Sequence, residues 1–211
     1  MKKFIPAMTY EFLTPYYDYI LNIIGFGYGQ REKIVRLLGL KNNDKLLDVG
    51  CGTGSLLIVA KKLYPEITAV GVDIDEKILK IAKNKTQKEN LKIGFIKTSA
   101  DKLPFDDSSF DVVVSSLVFH HLPLEVKKQA VGEIKRILKK DGRFLLVDFG
   151  KTDNLWINLF YRIVKFLRIE ELTTLKDNVN GLLPILLKQS SFKTQEVAPQ
   201  HLGIQYLSNT K

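Results

Sequence analysis

Five apolar runs punctuate the first 150 residues: KLLDVG, TAVGVD, LKIGFIKT, DVVVSSLV and GRFLLVDF. Each is rich in Val, Ile or Leu, and helix-like segments separate most of them. That alternation predicts parallel strands joined by helical crossovers, hence an α/β sheet covered on both faces. In PLEVKKQAVGEIKRILKKDG, Val126, Ala130, Ile134, Ile137 and Leu138 share one helical face, with Pro123 suited to the first turn and Gly142 to the exit. After Gly54, SLLIVAKKLYP reads as a short helix ended by Pro65. Near the end, KTQEVA and LGIQYLS are expected to be strands that complete the sheet's edge.

Two segments depart from the scheme. Residues 1–30 are dense in aromatics, among them Tyr10, Tyr16, Tyr17 and Tyr19, and residues 151–190 interrupt the strands with LWINLFYRIVKFL and GLLPILLKQS. Both are expected to be helical additions over one end of the sheet. In the first of these insertion segments, Leu155, Trp156, Leu159, Phe160, Ile163, Val164 and Leu167 form a wide apolar face ringed by Arg162, Lys165 and Arg168. Such a face suits a core-covering helix, the wall of an apolar ligand's site, or a helix lying on a membrane surface.

A chain of 211 residues with 45% hydrophobic content can bury one full core, so a single domain over 1–211 is expected. No stretch approaches 18 uncharged apolar residues, and prolines, Glu11 and Asp18 break the N-terminal region, so a soluble cytoplasmic protein is expected. One cysteine and three histidines leave no internal disulfide and no thiolate cluster, and no metal is expected. The net charge of +9 would suit an anionic partner, but the lysines are spread over helical patterns such as EKILKIAKNKTQKEN, which read as solvated faces.

The stretch KLLDVGCGTGSLL carries the clearest chemistry. An apolar strand that ends in a glycine turn and opens a helix presents backbone N–H groups at the carboxyl edge of a sheet, where open α/β folds bind ligands. Gly50-Cys51-Gly52-Thr53-Gly54 is G-x-G-x-G, which fits neither the dinucleotide G-x-G-x-x-G nor the triphosphate loop with its lysine. Asp48, just before the glycines, would repel a diphosphate but welcome an ammonium. Asp73, nineteen residues after Gly54, ends the second strand where an acid can accept from ribose hydroxyls. Together they point to a nucleoside that bears an amino acid.

LLDVGCGTG, GVDID, SADKLPFDDSSFDVVVSSLVFHHL and LKKDGRFLLVDF, in that order over about residues 45 to 150, resemble the class I S-adenosylmethionine-dependent methyltransferases. Closest in pattern are the small-molecule enzymes similar to the ubiquinone/menaquinone biosynthesis (type 11) methyltransferases. The resemblance implies a Rossmann-like seven-stranded, mostly parallel sheet with helices on both faces and an antiparallel last strand. It also implies a division into an N-terminal helical cover (1–30), a cofactor-binding core (31–150), a helical insertion over the acceptor site (151–190) and closing edge strands (191–211).

By position, the resemblance assigns Asp48, Gly50, Cys51, Gly52, Thr53 and Gly54 to the methionine end of S-adenosylmethionine. Asp73 falls at the ribose and Ile74 against the adenine, with Ser99, Ala100 and Asp101 along the adenine edge. Ser116 and Leu117 pass beneath the sulfonium. Relatives often carry Asp or Asn where this chain has Ser99, which puts that contact in doubt and passes it towards Asp101. Cys51 also reads as a small packing residue.

A sulfonium methyl needs an aligned, dry pocket more than a dedicated base. Where the acceptor loses a proton, His120, His121 and Asp148 are the catalytic candidates, at the carboxyl ends of adjacent strands; one histidine could instead cap the helix after Pro123. Tyr16, Tyr17, Trp156 and Phe160, with the two histidines, are the candidates for contacting the acceptor. The strand-end sequence SSLVFHHL lacks the Asp/Asn-Pro-Pro-Tyr/Phe motif of nucleobase amino methylation, and Cys51 lies in the wrong place for pyrimidine carbon methylation. A DNA substrate is not expected, RNA rests on net charge alone, and a lone cysteine disfavours arsenic. The expected partner is a small apolar or aromatic methyl acceptor of quinone or lipid-precursor type, with peripheral membrane contact left open. A module that holds the cofactor without turnover remains the alternative, and the oligomeric state is not legible.

Overall fold

The computed structural model describes residues 27–151, 173–201 and 203–211. In chain order they form α1 (Tyr28–Leu37), β1 (Lys45–Val49), α2 (Ser55–Leu63), β2 (Thr68–Asp73), α3 (Glu76–Lys88), β3 (Gly94–Lys97), β4 (Phe110–Ser116) and a single 3₁₀ turn (Phe119–His121). Then follow α4 (Leu124–Ile137), β5 (Leu138–Phe149), α5 (Thr173–Val179), α6 (Leu182–Gln189), β6 (Lys193–His201) and β7 (Ile204–Thr210).

The strands make one sheet in the order β3-β2-β1-β4-β5-β7-β6. The pairs from β3 through to β5 are parallel, whereas β7 runs antiparallel to both β5 and β6. From β1 the chain winds outward to β3 and then returns to β4 on the other side. The carboxyl ends of β1 and β4 therefore flank a switch point, where crossovers leave in opposite directions and open a crevice.

Alternation along the central strands explains why they read as unbroken apolar runs. Leu46, Val112, Val114, Leu145 and Val147 pack against α1, α2 and α3, through residues such as Val35, Leu57 and Leu79. Leu47, Val49, Val113, Phe144 and Leu146 face the other way, onto Ala130, Ile134 and Ile137 of α4 and Leu183, Leu186 and Leu187 of α6. A sheet buried on both faces needs apolar side chains at successive positions.

One boundary differs from the sequence reading. Helix α4 ends at Ile137, while Leu138 opens β5 and Gly142 lies inside that strand. Leu138 fits the helical stripe but pairs with Phe110 of β4, after which the register jumps so that Val112 faces Arg143. Gly142 serves this irregularity: a Cβ there would stand 2.8 Å from Leu138 Cδ2 and 3.0 Å from the Lys139 carbonyl oxygen. No helix among the described residues is long and apolar enough to cross a membrane.

Candidate functional site

The glycine loop is built by close approach. Gly50, Gly52 and Gly54 have φ of 78°, 51° and 72°, a backbone region that L side chains rarely adopt. At Gly50 space also decides, since a Cβ would come within 2.3 Å of Val118 Cγ2. The loop is tied to β2: the N–H groups of Gly50 and Cys51 both donate to the Val72 carbonyl, at 2.8 and 2.9 Å. Gly52 N–H donates to Asp73 Oδ2 at 3.0 Å.

Asp73 thus holds the loop and the entrance to α3 together, because its Oδ1 accepts from Asp75 N–H at 2.9 Å. Burial raises its pKa, and the donated backbone hydrogen bonds partly oppose that rise. A carboxylate has about four lone-pair sites, so the backbone donors of Gly52, Asp75 and Ile74 leave capacity for a ligand hydroxyl. Asp75 in turn caps α3 by accepting from Lys77 N–H at 2.8 Å.

A cleft of about 360 Å³ opens beside the loop. Gly50, Gly52, Asp73, Ile74, Ser99, Ala100, Asp101, Ser116, Leu117 and His121 line it, so ten of the sixteen described residues singled out in the sequence converge. Ile74 is 42% exposed there, an apolar surface open among the described residues. The Ser99 hydroxyl is hydrogen-bonded to the Asp101 carboxylate, so the two act as a unit at the cleft's edge. Leu117 holds a left-handed φ of 58° and is pinned through its N–H to the Val147 carbonyl at 2.8 Å. Such a backbone conformation in a non-glycine residue costs on the order of 1 kcal/mol and persists where the surroundings over-determine it.

Asp48, Cys51, Thr53, Gly54 and Asp148 stand behind this lining, and His120 stands beside it, its ring 3.9 Å from that of the lining His121 and its side chain 12% exposed. Asp48 is 2% exposed, and its Oδ1 has no hydrogen-bond partner among the described residues. Burial, reinforced by the nearby Asp73 charge, pushes its pKa up to about 8. Cys51 packs into the core against Gly71, where a Cβ would lie 2.6 Å from its sulfur, and burial raises the thiol pKa well above the ordinary value. Thr53 is bonded to Ser55 Oγ at 3.0 Å and receives Lys85 Nζ at 3.3 Å. Gly54 caps α2.

Asp148 is fully buried and saturated. Its carboxylate accepts from the N–H groups of Val118 (3.0 Å), His120 (3.3 Å) and Phe149 (2.7 Å), and His120 Nδ1 lies 2.8 Å from Oδ1. Burial would raise its pKa, but His120 and the donated hydrogen bonds outweigh that and bring it below the ordinary carboxylate value. His121 stands in the cleft wall with Nδ1 buried and without a partner among the described residues; burial, then His120, lowers its pKa to about 4. Neither histidine caps α4, whose first turn has no side-chain cap. Tyr16, Tyr17, Trp156 and Phe160 lie outside the described residues, as do most of the N-terminal cover and residues 152–172.

Several site residues carried no sequence signal. Val118, Leu122, Pro123 and Val126 line the cleft on the β4 side, brought there by the tight passage from β4 through the 3₁₀ turn into α4. Lys127 looked like one more solvated lysine, yet it is fully buried and donates to Asn178 Oδ1 at 2.7 Å.

A family model described as a methyltransferase domain matches residues 47–146. A demethylmenaquinone methyltransferase from Thermus thermophilus is 31% identical over 153 residues, which cover 72% of this chain and 69% of that protein. One from Lactobacillus johnsonii is 34% identical over 152 residues, covering 70% of this chain and 62% of that protein, so the chain spans less than two thirds of this relative's length. Among solved structures, an S-adenosylmethionine-dependent methyltransferase from Aquifex aeolicus superposes with a TM-score of 0.72 over 98% of both chains at 20% identity, a likeness of fold.

Proposed function

Because the chain belongs to the S-adenosylmethionine-dependent methyltransferases, we propose that it transfers a methyl group from that cofactor to a small apolar or aromatic acceptor of quinone or lipid-precursor type. The cleft carries this reading. It joins a glycine loop, a strand-end carboxylate with spare acceptor capacity in Asp73, and an exposed apolar surface in Ile74. Asp48 adds a buried carboxylate oxygen without a partner among the described residues, just before the loop.

These features fit the cofactor's chemistry. Asp73 takes the ribose hydroxyls, Ile74 packs on the adenine, and the Ser99–Asp101 pair with Ala100 meets the adenine edge. Gly50 and Gly52 let the methionine portion approach the backbone, Asp48 attracts its ammonium, and Ser116 and Leu117 border the reacting end. When bound, S-adenosylmethionine supplies an electrophilic methyl on a sulfonium; transfer leaves S-adenosylhomocysteine and, for an acceptor that bears an X–H bond, one proton. The Thermus and Lactobacillus relatives are named for demethylmenaquinone methylation, which favours an aromatic acceptor here.

Calorimetric titration with S-adenosylmethionine and S-adenosylhomocysteine, with Asp73→Ala in parallel, tests the reading. Micromolar binding that weakens at least tenfold in the variant supports it, and absence of binding by the unaltered protein sinks it. S-Adenosylhomocysteine formed with a mixture of small molecules then separates turnover from mere cofactor binding.

A further inference from the structure

Methyl transfer to an X–H acceptor leaves a proton, and the β4–β5 side of the site holds one group prepared to take it. Asp148 is ionised, buried and acceptor-only, so the His120 Nδ1 that stands 2.8 Å from Oδ1 must carry the hydrogen. In the neutral imidazole that leaves Nε2 as the acceptor. Among the described residues Nε2 has no hydrogen-bond partner, and the side chain is 12% exposed. The ring is steadied by the edge of Phe149, with centroids 4.9 Å apart, and lies 3.9 Å from the His121 ring in the cleft wall.

The support extends to a second layer. Asn178 of α5 reaches Asp148 Oδ1 at 3.5 Å and accepts from the buried Lys127 of α4. The charged and titratable groups that face His120 are thus Asp148 from β5 and His121 on its own turn, with Lys127 from α4 and Asp177 from α5 one step further out. Among the described residues no carboxylate is hydrogen-bonded to His121.

We propose that His120 is the catalytic residue that accepts the methyl acceptor's proton at Nε2, with Asp148 and Asn178 as positioning residues that hold its tautomer. This rests on the methyl-transfer reading above. An aryl hydroxyl that gives its proton to Nε2 becomes nucleophilic at oxygen and at the conjugated ring carbons, and the proton later leaves His120 for water. A metalloid or an acceptor that is already anionic would not require such a base.

Wild type, His120→Gln and Asp148→Asn are compared by calorimetry with S-adenosylhomocysteine and by turnover of 1,4-naphthohydroquinone with S-adenosylmethionine. Nitrogen NMR of the wild-type imidazoles, which needs neither turnover nor a variant, is recorded alongside. The proposal expects S-adenosylhomocysteine affinity within about threefold in both variants. In His120→Gln, kcat falls at least about 100-fold and the ascending limb of the pH profile is lost. The hydrogen of wild-type His120 sits on Nδ1, and in Asp148→Asn it redistributes towards Nε2. A wild-type His120 protonated on Nε2 overturns the proposal, as does His120→Gln that binds S-adenosylhomocysteine and keeps its turnover and pH profile. Wild type that binds the cofactor but turns over no naphthohydroquinone counts against the aromatic acceptor of the proposed function, and the NMR spectrum still tests the His120 tautomer. Failure of the wild type to bind S-adenosylhomocysteine instead removes the methyl-transfer reading, and the NMR spectrum still decides the His120–Asp148 arrangement.

Discussion

Asp48 and Asp148 occupy equivalent places. Each is the penultimate residue of a parallel strand, β1 and β5 respectively, and each is almost wholly buried. Asp148 is surrounded by donors and its pKa falls below the ordinary value, whereas Asp48 has one oxygen without a partner among the described residues and its pKa rises to about 8. Burial alone penalises both charges, so donors decide the outcome. Among the described residues one carboxylate is completed and the other keeps an oxygen open.

Removing the completed carboxylate should have the largest effect. Asp148→Ala strands at least three backbone donors and the His120 ring in a buried site. A loss of about 3–5 kcal/mol is expected, as for breaking a buried pair, or on the order of 6–20 °C in Tm by thermal melting. A loss under about 1 kcal/mol would mean that water replaces the carboxylate and that the two strand ends differ less than described.

On the other side the effect should fall on binding. Asp48→Asn is expected to weaken S-adenosylmethionine by about 10- to 150-fold, equivalent to about 1.5–3 kcal/mol for a charged hydrogen bond, with little loss of fold. The pH dependence gives the sign. An acid whose folded pKa is raised contributes stability below its unfolded value near 3.8 and loses it as pH climbs through about 8. Relative to wild type without ligand, Asp48→Asn should therefore gain in Tm from pH 4 to pH 8. Asp148, with its lowered pKa, contributes the opposite dependence: its stability is present above pH 4 and is lost as pH falls through its folded value. Parallel Tm–pH curves for wild type and Asp48→Asn would remove the contrast.

The smallest effect belongs to the loop's neighbour. Asp75→Ala removes the side-chain cap of α3 and should cost about 1 kcal/mol in melting experiments, typical of an N-cap. A larger loss would show that Asp73 depends on Asp75 for its position, which would couple the cap to the cleft.

The sheet was largely legible because strands buried on both faces must be apolar at successive positions, and all seven fall where such runs or the closing edge segments lie. The loop was legible because three positive-φ positions within five residues demand glycine. Leu138 misled because it satisfies both the helical stripe and the strand pairing with Phe110, and only the bulged register chooses between them. Lys127 misled because its neighbours look solvated, while its actual environment is set by Asn178, 51 residues away.

Taken by itself, the amino-acid order determined the alternation of strands and helices, the G-x-G-x-G turn and the acids at the strand ends, since each is governed by local backbone conformation or short-period burial. Only the tertiary structure decided which acid would be satisfied. Asp148 gains its donors from a 3₁₀ turn about thirty residues earlier and from α5 thirty residues later, while nothing among the described residues reaches Asp48 Oδ1. A carboxylate's charge state depends on the donors and the desolvation around it, and both come from packing between segments distant in the chain.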